Sequence, residues 1–159
     1  NKHIFNELSD ADIQIKSAFS IPTNNSTTNY QNFLMQLCKL TVERINKKLI
    51  NEIVPNKDKL LGRDKKPLGS RMQLKVLLEE MNFASANLLD DILKKIYNSR
   101  NKLAGHSGSF KEYNKVWKRD KEFKPDFILD AKSLLHDLNK AMDKFYIEAQ
   151  NKIGQKDEE

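Results

Sequence analysis

From Phe127 to Ile153 apolar residues recur at three- and four-residue steps: Phe127, Ile128, Ala131, Leu134, Leu135, Leu138, Ala141, Met142, Phe145, Tyr146, Ala149 and Ile153. That spacing is the period of an α-helix, and it draws one stripe about eight turns long. A helix with a single apolar stripe must lay it against other helices. Pro125 suits the first turn, where a missing backbone N–H costs little.

The same period recurs upstream. Phe33, Leu34, Leu37, Leu40, Ile45, Leu49 and Ile53 predict one helix of about six turns, from Tyr30 to the neighbourhood of Pro55. Ser70 is placed to cap a helix bearing Met72, Leu74, Val76, Leu77, Leu78 and Met81. After a break over 82–85, Ser85 or Asn87 opens another, lined by Leu88, Leu89, Ile92, Leu93, Ile96, Tyr97 and Leu103. Residues 3–19 carry an imperfect helical pattern that Ser9 or Asp10 interrupts or caps, and Phe110 to Phe123 reads as a short helix or ordered loop. Ile21 to Asn29, rich in Asn, Ser and Thr, and Asn56 to Gly69, with two Gly and a Pro, read as loops. The second is expected to be a solvated loop; the alternative is a functional one whose Lys57, Lys59, Arg63, Lys65 and Lys66 touch a nucleic-acid backbone.

Only 5 Gly and 4 Pro punctuate the 159 residues, and no strand pair with a hairpin turn is legible. The expected fold is therefore all-α: a bundle of about five helices in one domain over 1–154, followed by a polar tail over 155–159. The lone Cys38 excludes an intrachain disulfide and a cysteine zinc cluster, and its apolar surroundings suit a small buried hydrophobe. His3 and His136 stand far apart without ligand-like neighbours, so neither a metal nor another cofactor is expected. No stretch reaches the roughly 20 apolar residues of a membrane span, and no signal-peptide pattern opens the chain, so the expected location is the cytoplasm.

Charge is unevenly spread. The net charge is +6, yet the window from Lys94 to Lys121 holds nine basic residues against Glu112 and Asp120, a balance of +7. Such a cluster favours an anionic partner such as nucleic acid, although basic surfaces that bind nothing are also common. Lys102, Lys111, Lys115, Lys118 and Arg119 are the candidate phosphate contacts. Tyr113 and Trp117, four apart among these cations, suit either base stacking or the core, and the core is the favoured reading. Glu79 and Glu80 read first as a surface pair on a helix and second as an acidic helper facing a cleft.

Inside this window lies Ser99-Arg100-Asn101-Lys102-Leu103-Ala104-Gly105-His106, at the end of a helix that Gly105 and Ser107-Gly108-Ser109 are suited to stop. A guanidinium forks onto phosphate oxygens, and an imidazole exchanges protons near neutral pH. Together they can act on a phosphodiester without a metal. In an unbroken helix six residues would rotate His106 about 240° from Arg100. The pair meets only if the chain turns back at Gly105 or if a second copy shares the cleft. The plain structural reading gives Arg100 a carboxylate partner, Asp90, Asp91 or another, and His106 a backbone partner.

In these residues the chain resembles the HEPN (higher eukaryote and prokaryote nucleotide-binding) superfamily of helical bundles. Their mark is an Arg, often followed by a polar residue, then a His after four to six residues; here Arg100, Asn101 and His106 fill those places. The resemblance implies a HEPN-like bundle, a homodimer with a composite cleft, and metal-independent cleavage of RNA in a toxin, phage-defence or RNA-processing setting, with an antitoxin or partner domain. It implies that Arg100 holds the scissile phosphate, that His106 moves a proton, and that Asn101 orients one of them or binds phosphate. Toxin members paired with a nucleotidyltransferase antitoxin carry Tyr two residues after the His; Gly108 stands there, so regulation through that Tyr is not expected. The alternatives are an inactive HEPN-like module binding RNA or protein, and a structural helical domain of a larger chain.

Overall fold

The computed structural model describes residues 3–104 and 110–154. They form seven α-helices: α1 (Asp10–Ala18), α2 (Thr27–Leu40), α3 (Lys47–Ile53), α4 (Ser70–Glu80), α5 (Ala86–Ala104), α6 (Phe110–Val116) and α7 (Phe127–Gly154). Short 3₁₀ turns occupy Val42–Arg44 and Lys57–Leu60, and the described residues contain no strand, only two isolated bridges. The all-α class is as the periodicity indicated. The expected caps at Gly105 and Ser107 to Ser109, and the tail over 155–159, lie outside the described residues.

The helix count rises to seven mainly because the long stripe from Tyr30 to Ile53 is broken. Thr41 turns its hydroxyl onto the Leu37 carbonyl at 2.7 Å and leaves helical geometry at φ −122°, ψ −81°. The chain then pairs with the N-terminal segment, Asn6 N–H donating to the Arg44 carbonyl at 2.7 Å and Asn46 N–H to that of Ile4 at 2.8 Å. Asn46 restarts the helix by accepting from Leu49 N–H at 3.0 Å. Apolar spacing alone cannot register this, because Val42 and Ile45 fall at helical intervals after Cys38 and are buried in the broken geometry as well. For the same reason residues 3–9 are not helical, and α1 begins at a capping box between Ser9 and Asp12.

The segment from Asn56 to Gly69 is anchored where a solvated loop was expected. Leu60 is buried, Leu68 N–H donates to the Leu60 carbonyl at 2.8 Å, and Leu61 bridges Pro67. Lys57 donates to the Val54 carbonyl at 2.6 Å, while Lys59 pairs with Glu80 at 2.5 Å. Glu79 in turn faces Lys75 at 3.7 Å, so the two acids form the surface pair read from sequence.

Helix α5 is the centre of the bundle, packed against α2, α4, α6 and α7. Its Leu89, Leu93 and Ile96 are buried against Leu34 and Leu37 of α2, Leu74 and Leu78 of α4, and Leu134 of α7 within one continuous core. Each such side chain contributes about 1.5–3 kcal/mol on leaving water. Glu148 of α7 closes the other end of α5, its carboxylate accepting from Ala84 N–H at 2.6 Å, Ser85 N–H at 3.0 Å and the Ser85 hydroxyl at 2.7 Å. These bonds, working against burial, hold the Glu148 carboxyl below its ordinary range.

Candidate nucleic-acid interface at the end of helix α5

The last turns of α5 are oriented by what they bury. Ile96, Ser99 and Leu103 are one helical face and all are buried. The Ser99 hydroxyl accepts the indole N–H of Trp117 at 3.2 Å, and the Leu103 carbonyl, one of the unpaired acceptors at a helix end, takes the Gln31 amide at 2.7 Å. With that face fixed inward, Arg100 is set at the edge facing α2 and the 3₁₀ turn.

There its Nη1 donates to Glu43 Oε1 at 2.5 Å and to Cys38 Sγ at 3.5 Å, while Nε donates to Asn101 Oδ1 at 3.3 Å. The guanidinium lies 5.5 Å from the Tyr97 ring centre, a cation–π distance. The Arg100 side chain is 28% exposed and that of Glu43 47%, so the ion pair opens to solvent. Burial works against the Arg100 charge, but Cys38 and the Glu43 carboxylate more than offset it and raise its pKa. Burial pushes the Cys38 thiol up, against the pull of the neighbouring guanidinium.

The carboxylate partner allowed for Arg100 is thus Glu43. Asp90 is taken by Arg71 and lies 3.7 Å from Lys75. Glu43 escaped sequence reasoning because it is 57 residues away, and only the break between α2 and α3 brings it to α5. His106 lies outside the described residues. Asn101 is exposed beside Arg100, and Lys102 is exposed one residue further on.

The other candidate phosphate contacts divide. Lys111 and Lys118 are exposed, and Lys115 pairs with Glu112 one turn away on α6. Arg119 is engaged inward: Nη1 and Nη2 donate to the two oxygens of Asp130 at 2.9 and 2.5 Å, with the guanidinium 4.6 Å from the Trp117 ring and 4.8 Å from that of Phe123. Asp130 is 1% exposed and also accepts the Tyr113 hydroxyl at 2.6 Å. The Tyr30 hydroxyl, 2.9 Å from that of Tyr113, completes the network by donating to it, since Tyr113 has one proton and gives it to the carboxylate. Tyr113 is therefore core, and Trp117 packs against the core with its N–H satisfied.

Among the described residues no group of His, Cys, Asp or Glu is arranged to hold a metal ion, and no helix is long and apolar enough to cross a membrane. No family model matches the chain, and no curated protein or solved structure matches it.

Proposed function

We propose that this protein is a metal-independent endoribonuclease of HEPN type, with a composite site at a homodimer interface. The observation that carries the reading is Arg100: a permanent cation at the end of a rigid central helix, held by one solvent-open carboxylate and joined to Asn101. A phosphate oxygen can replace Glu43 at such a guanidinium, because an exposed ion pair contributes less than about 1 kcal/mol.

In the proposed reaction the ribose 2′-oxygen attacks phosphorus as His106 takes its proton. Charge gathering on the non-bridging oxygens is met by the Arg100 fork. The bond to the 5′-oxygen breaks, and that oxygen leaves as a hydroxyl after protonation by His106 of this or the second copy. The products are a 2′,3′-cyclic phosphate and a 5′-hydroxyl end. DNA lacks the nucleophile and is not cut.

The test is cleavage of RNA by Arg100→Ala and His106→Ala in excess EDTA, with folding followed by circular dichroism. Arg100→Ala is expected to lose about 10²–10³-fold in rate, the loss typical of removing one donor to a developing oxyanion, and His106→Ala about 10²–10⁴-fold, the loss typical of removing a general acid–base. Full activity in both, or cleavage of the matched DNA, overturns the proposal. Sedimentation of the protein reports the dimer.

A further inference from the structure

We infer that the groove between α5 and α6 is a docking track for the phosphodiester backbone of a single RNA strand leading to Arg100; RNA as the substrate class rests on the ribonuclease reading. The groove has a volume of about 550 Å³, within the range of small-ligand sites, and so holds a short piece of one strand. Lys94, Lys95 and Asn98 line it from α5; Lys115, Trp117 and Lys118 line it from α6 and its end. Four ammonium groups around one concavity focus a positive potential there.

Three carboxylates stand against these four ammonium groups and, among the described residues, leave two of the lysines without an ion pair. Asp91 lines it, Lys95 is 3.7 Å from Asp137, and Lys115 is paired with Glu112. Among the described residues Lys94 and Lys118 form no ion pair. Lys118 is notable for its backbone: at φ 53° it holds the left-handed conformation after α6, a place where Gly or Asn is the unstrained choice. Helix stability does not call for a lysine there.

The track has a direction. Asn98 and Asn101 follow Lys94 by four and seven residues and form one edge, within about 60° of one another around α5, while Lys95 and Lys102, seven apart, form the flank about 100° away. Arg100 is reached past Asn101, on the side of α5 that faces α2. From Lys94 to Asn101 that edge runs about 10 Å and ends where Asn101 accepts from Arg100. Recognition here is of phosphate and so independent of base sequence. Trp117 does not need to stack a base: the Lys95 ammonium lies 3.9 Å from its ring centre and the Arg119 guanidinium 4.6 Å.

Trp117 is the single tryptophan of the chain, so it reports on the groove directly. The experiment titrates the full chain with a labelled oligoribonucleotide 2′-O-methylated throughout, which cannot be cut, following its anisotropy and Trp117 emission. Lys94→Gln and Lys118→Gly are each expected to weaken binding roughly five-fold and to make the log–log salt slope shallower by about 0.7. Trp117 emission is expected to shift as phosphate draws Lys95 off the ring. Lys118→Gly relieves backbone strain, so its melting temperature should match or exceed the parent's, and misfolding cannot imitate the loss. Parental affinity and slope in both variants, or an unmoved Trp117 signal, overturns the track, as does tighter binding of labelled polyglutamate, which assigns the groove to an acidic protein. Lysine-dependent binding without cleavage of unmodified RNA keeps the track and fails the nuclease; Arg100-dependent cleavage with unaffected lysine variants does the reverse.

Discussion

Arg100 and Arg119 come from the same basic window, and the bundle uses them in opposite ways. Arg119 makes a two-pronged bond to a carboxylate that is 1% exposed and already bonded to Tyr113. Arg100 makes a single-pronged bond to one that is 47% exposed. The first pair is closed on its acid side: both Asp130 oxygens have partners and the carboxylate is shut off from water, while the Arg119 side chain, 25% exposed, is about as open as that of Arg100 at 28%. The second can exchange its carboxylate for another anion without uncovering a buried charge. Residue type and local charge are the same for both arginines. The difference lies in whether the partner is buried.

The sharpest way to break the comparison is to remove each guanidinium. Arg119→Ala leaves Asp130 as an unpaired buried charge and should cost about 3 kcal/mol in urea unfolding, the lower end of the range for a broken buried pair. Arg100→Ala should cost under about 1 kcal/mol, as expected for a solvent-open pair. Equal losses would mean that the two arginines share one structural role.

The closed network also carries a pH signature. Burial, with the neighbouring phenol and Asp130 adding to it at Tyr113, raises both Tyr113 and Tyr30 from the ordinary 10.0. In the unfolded chain these phenols ionise near pH 10, and in the folded chain only well above it. Their contribution is therefore intact below pH 10 and is lost as pH rises, by about 2–3 kcal/mol at pH 11 for the two together. A Tyr30→Phe, Tyr113→Phe double variant should flatten that decline. Stability that is level from pH 9 to 11 in the parent would place these hydroxyls in contact with water.

What the sequence conveyed follows the same division between buried and open. Helices α4, α5 and α7 were legible because their apolar stripes face one core throughout, and Tyr113, Trp117 and Cys38 were legible as packing residues. The break at Thr41 was not, because Val42 and Ile45 keep the helical spacing and stay buried while the chain at 44–46 pairs with residues 4–6. Arg100 and Asn101 stood out as a motif, but Glu43, 57 residues distant, depended on that unread break. Arg119 looked like a surface cation because nothing local distinguishes it from Lys118; its partner Asp130 is set opposite it only by the docking of α6 against α7. Lys94 and Asn98 were present as spacing, yet become a wall only once α6 lies beside them.

The smallest expected effect tests how exchangeable the open pair is. Glu43→Gln keeps an oxygen for the Arg100 N–H and removes the charge that competes with phosphate. Because Glu43 is half exposed, unfolding stability should change by less than about 1 kcal/mol. If Arg100 serves a phosphate, the uncut 2′-O-methylated strand should bind the variant a few-fold more tightly, since no carboxylate has to be displaced, and the cleavage rate at saturating RNA should stay near the parent's. A drop in that rate with binding unchanged would make Glu43 a positioning residue that aims the guanidinium. Open and closed arginines would then differ in exposure but not in how firmly their carboxylates are required.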